Sequence, residues 1–84
     1  MPASIGIWAQ GDPHGDLVLY RWEADRQTGF VTFEVLSETF RPADENGRPV
    51  EDGGPLFAQV VAAIRRAYRR GEGKAPATAH VYYF

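Results

Sequence analysis

Apolar residues alternate with polar ones along the first part of this chain and recur at three- and four-residue spacing further on. Leu17 to Glu23 is the clearest alternating segment: Val18, Tyr20 and Trp22 fall on one side, Leu19, Arg21 and Glu23 on the other, the period of two of a strand. Phe30 to Leu36 repeats the pattern with Val31, Phe33 and Val35 against Thr32 and Glu34. The link Ala24-Asp25-Arg26-Gln27-Thr28-Gly29 makes the two a hairpin. Ser4 to Gln10 is rich in strand formers and stops at Gly11-Asp12-Pro13-His14-Gly15-Asp16, a run of turn residues. Thr78 to Phe84 reads as a last strand, with Ala79, Val81 and Tyr83 on one face and His80, Tyr82 and Phe84 on the other.

The period changes after Pro55. Leu56, Phe57, Val60, Val61, Ile64 and Tyr68 span about 140° of a helical wheel, while Arg65, Arg66, Arg69 and Arg70 fall on the opposite arc. Pro55 suits a first helical turn, and Gly71 is placed to serve as the glycine that ends the helix. The order β-β-β-α-β predicts an α+β fold in two layers: a four-stranded, mainly antiparallel sheet with one amphipathic helix across one face. Nothing suggests a division of residues 1–84 into more than one domain. Residues 37–54, polar and rich in Pro and Gly, form either a long loop or a small hairpin excursion turning at Asn46-Gly47, with Phe40 and Val50 on its arms. The last strand can pair with the first or the third.

Hydrophobic residues make up 44% and charged residues 24% of the chain, the balance of a folding globular domain. A domain this small buries only roughly 60–65% of its unfolded surface, so its eleven aromatics must supply much of the stability. The absence of cysteine removes disulfides, thiolate catalysis, cysteine-type zinc sites and iron–sulfur ligation. No segment is long and apolar enough for a membrane span, and Met1-Pro2-Ala3-Ser4 lacks the features of a secretory leader, so a cytoplasmic location is the simplest expectation.

One helix covers one face of a sheet. With Val18, Tyr20, Trp22, Val31, Phe33, Val35 and Val81 beneath it, the other face carries Leu19, Phe30, Tyr82 and Phe84 among polar residues, with Trp8 from the first strand a further candidate. Such a face predicts self-association or a protein partner, unless the 37–54 segment or Trp8 folds across it. The leading expectation is therefore a non-catalytic protein-interaction domain, dimeric through this face, with Leu19, Phe30, Tyr82, Phe84 and Trp8 as anchors.

Two other readings use different residues. Arg65, Arg66, Arg69 and Arg70 could contact an anion or nucleic acid, although arginines in the last turns of a helix also simply favour its negative end. Net charge is −2, and those four arginines are among nine basic residues set against eleven acids, which weighs against a general phosphate binder. Asp12, His14 and Asp16 alternate in a turn and could form a small metal or acid–base site, though the same residues are what a tight connection requires. Asp44, Glu45, Glu51 and Asp52 lack the spacing of a calcium loop, and Gly71-Glu72-Gly73-Lys74 follows a helix instead of preceding one, unlike a P-loop. No cofactor is implied.

Overall fold

The computed structural model describes residues 4–81. Five strands and one helix follow in the order β1 (Ile5–Ala9), β2 (Leu17–Glu23), β3 (Thr28–Glu34), β4 (Thr39–Ala43), α1 (Phe57–Arg70) and β5 (Thr78–Val81). The sheet order is β4-β3-β2-β1-β5 with every neighbouring pair antiparallel. The last strand thus pairs with the first, and the connection through α1 carries the chain from one sheet edge to the other. The sheet has five strands where the sequence pattern predicts four, because Thr39–Ala43, read above as part of a polar excursion, pairs with β3 from Phe30↔Ala43 to Glu34↔Thr39.

β4 contains Pro42, which has no N–H to give a ladder, so such a segment is tolerated at an edge. The Pro42 carbonyl accepts from the Val50 N–H on the side away from β3. Strand alternation then puts the missing N–H on that outer side too, and no ladder bond is lost. Beyond β4 the chain turns through Asp44–Arg48. Asp44 Oδ1 accepts from the N–H groups of Asn46 and Arg48, and a bridge from Ala43 to Pro49 closes the excursion. Only Gly47 of this turn has a left-handed φ, +82°. The turn is therefore not the type I′ that Asn46-Gly47 suggests, which would need both residues left-handed.

The core forms between the sheet and α1. Ile5 and Ile7 of β1, Val18, Tyr20 and Trp22 of β2, and Val31 and Phe33 of β3 are buried with Val60, Ala63 and Ile64 of the helix. Val35, Val81 and Tyr68 pack against this cluster, so among the described residues the strand faces divide as the alternation predicts. Val35 itself lies in the turn after β3, since Glu34 ends that strand. The buried Tyr20 hydroxyl donates to the Pro76 carbonyl at 2.6 Å, which ties the middle of the sheet to the segment entering β5. Burial pushes Tyr20 ionisation well above the ordinary phenol range.

The helix ends in a Schellman arrangement: the Gly73 N–H donates to the Tyr68 carbonyl and the Glu72 N–H to the Arg69 carbonyl. Gly71, expected in the left-handed position, has φ −85°. Glu72 occupies that position with φ +59°. A left-handed conformation costs a non-glycine residue about 1–2 kcal/mol, of which the entropy of a glycine returns roughly half. Glu72→Gly is therefore expected to stabilise the fold by about 0.5–1 kcal/mol, a rise of a few degrees in Tm. Calorimetry of the two proteins checks this; a lower Tm would mean that Glu72 makes a contact outweighing its backbone strain.

Candidate interaction surface

The face opposite α1 is built by the outward residues of each strand. Phe30, Arg21 and Trp8 form one cross-strand row, each directly opposite the next. Leu19 pairs with Thr32, and Leu17 with Glu34, in the rows beside it. Trp8 lies back over the strand: a methyl group on Gly6 would stand 2.5 Å from its Cη2. Its ring meets His80 of β5 edge-on at 6.4 Å. Arg21 Nη2 reaches Glu23 Oε2 at 3.0 Å, so the row is crossed by an ion pair as well as by aromatics.

This face is not wholly bare. The Asp44–Arg48 turn comes over the Leu19 end, where a methyl on Gly47 would be 3.9 Å from Leu19 Cδ2. Leu19 and Phe30 are both half-buried, and Ala43 opposite Phe30 is buried. Trp8 remains 37% exposed and Leu17 61%. Leu17 was not among the anchors expected from sequence, although its parity with Leu19 places it on the same face. Tyr82 and Phe84, expected there too, lie outside the described residues.

The arginine cluster is divided by what lies on either side of the helix. Arg65 stands over the Phe40 ring at 5.2 Å, a cation–π arrangement, and is half-buried instead of lying on a solvent arc. Arg69 approaches Glu38 in the turn before β4, Nε to Oε1 3.7 Å. Both are drawn toward β4, a strand the sequence pattern did not reveal. Arg66 and Arg70 flank a groove of about 260 Å³ beside β5, and Arg66 also borders a shallower hollow with Arg65 and Arg69. No one hollow gathers all four guanidinium groups, and two of the four already have partners.

In the 11–16 loop the Asp12 carboxylate accepts from the His14 backbone N–H at 2.9 Å and bonds the His14 ring. These two bonds hold the Asp12 carboxyl below its usual range. Asp16 does not complete a site: its carbonyl accepts from the Val35 N–H, and among the described residues no three His, Asp or Glu side chains converge as metal ligands. The loop is an exposed, hydrogen-bonded turn at one end of the sheet.

Fold and surface together define a small cysteine-free α+β domain, one helix on a five-stranded antiparallel sheet. No protein family, curated protein or solved structure gives a significant match to this chain.

Proposed function

We propose that this chain is a protein-interaction domain that self-associates through the sheet face opposite α1. The observation that carries the reading is that Leu17 and Trp8, 61% and 37% exposed, flank half-buried Leu19 and Phe30 on that face. Aromatic and branched side chains grouped in this way are what a protein interface buries at its centre. A second copy of the chain is the occupant that the charges favour. Arg21 and Arg41 share the face with Glu23 and Glu34, and a patch carrying both signs can complement itself across a two-fold axis. Size permits it: the two larger extents of the molecule, 35 and 27 Å, enclose an area comparable to the ~800 Å² per partner of a standard interface.

The expected result is twice the chain mass by light scattering at both low and high salt, because apolar anchors are insensitive to screening. Leu17→Glu, at an exposed position, should return the mass to one chain with the circular dichroism of the folded protein unchanged. A single-chain mass for the natural sequence, or an unaltered dimer in the folded variant, would overturn the reading.

A further inference from the structure

The groove between the C-terminal half of α1 and β5 opens beside the core at the β5 edge of the sheet. Arg66 and Arg70 form one of its walls, Thr78 and His80 contribute from β5, and Ala63 and Ala67 line it between them. Residues four apart on a helix hold their Cβ atoms about 5–6 Å apart, so both guanidinium groups can reach one group lying between them. Among the described residues no acid lines the groove. Among the described residues neither Arg66 nor Arg70 makes an ion pair, whereas Arg69 has Glu38 and Arg65 has the Phe40 ring. Two exposed arginines without counter-charges thus converge where the alanines, lacking bulk, leave room.

We infer that this groove binds a single phosphate-type dianion through Arg66 and Arg70, with the exposed backbone of the β5 edge beside it. Planar guanidinium forks suit tetrahedral oxyanions, each offering two parallel N–H groups. The C-terminus of α1 opposes an anion with only about half a unit of negative charge, against two full positive charges. A nucleic-acid strand fits less well: it would need successive uncompensated cations, and Arg65 and Arg69 are engaged by the Phe40 ring and Glu38.

The test is an NMR titration of the full chain with inorganic phosphate at constant ionic strength, following the arginine Nε–H signals and the Thr78 amide. Saturable shifts confined to Arg66, Arg70 and Thr78 are expected, with a Kd on the order of 1 mM. The Arg66→Gln/Arg70→Gln protein should bind at least about tenfold more weakly, the loss of roughly 1.4 kcal/mol or more. Arg65→Gln should bind as the natural protein does. A phosphoserine peptide and a nucleoside monophosphate form the next two arms; either binding more tightly than phosphate supports the site and names the source of the group. Shifts that do not saturate, or that spread equally over all four arginines, would overturn the inference. An oligonucleotide that moves Arg65 and Arg69 together with Arg66 and Arg70 would overturn it in favour of a polyanion track. Because the readout is local and both arginines lie on the helix, a failure here leaves the sheet-face reading untouched.

Discussion

Phe33→Ala is expected to cost about 3–5 kcal/mol of stability, the range for removing a fully buried aromatic side chain. For a chain of 84 residues total stability is about 4–12 kcal/mol, so the variant loses from about a quarter to all of it. The size of the effect follows from what Phe33 touches. It is fully buried, its ring stacks on Phe40 with centroids 4.4 Å apart, and Tyr68 of α1 meets it edge-on at 5.1 Å. Arg65 stands over the Phe40 ring in turn. One aromatic group thus joins β3, β4 and the helix, and alanine at its centre would leave a cavity bordered by rings too rigid to fill it. The control is Leu36→Ala: Leu36 is 85% exposed in the turn after β3, and its loss should stay within about 0.5 kcal/mol. Urea denaturation followed by circular dichroism gives both numbers. A Phe33→Ala loss below about 1 kcal/mol would mean that this aromatic group does not hold the layers together.

The same group marks where the sequence was and was not readable. Phe33 belongs to a strand whose alternation is unbroken, and β2 likewise: the seven residues read as a strand are the seven observed. The helix was legible because six apolar residues repeat at its period. Phe40 was not recognisable as a sheet residue. β4 is five residues long, holds Arg41 and Pro42, and has only Phe40 and Ala43 as apolar residues, on opposite faces. Its strand conformation is imposed by pairing with β3, a contact that local propensity does not encode. What followed from missing β4 was the placing of the arginines. A helical wheel gives the direction of each Cβ, and Arg65 and Arg69 do leave the helix on its polar arc. Their long side chains then bend toward an edge strand and turn whose position only the fold supplies. Likewise, strand parity placed Leu19, Phe30 and Trp8 together, while the partial cover from the Asp44–Arg48 turn depends on how that excursion folds back.

Gly29→Ala is expected to cost about 1–3 kcal/mol, although a strand ordinarily gains when glycine is replaced. Gly29 lies directly opposite Trp22 in the β2–β3 ladder. An added Cβ would stand 2.6 Å from Trp22 Cζ2 and 2.7 Å from Cε2, distances that real Cβ atoms do not tolerate. The backbone at Gly29 does not have a left-handed φ, so alanine suffers from the indole and not from its own conformation. The indole has little freedom to yield, since Trp22 is 3% exposed and packed within the core cluster. Gly29→Val should be worse, because two further carbons enter the same space. A double-mutant cycle isolates the cause. In a Trp22→Leu background, itself destabilised, Gly29→Ala should become neutral or stabilising by up to about 0.5–1 kcal/mol, the ordinary gain from removing glycine's unfolded-state freedom. The reversal of sign is the decisive outcome. If alanine costs the same in both backgrounds, the penalty does not come from Trp22. The cost of a side chain at this second residue of β3 would then have a source other than the ring that lies over it.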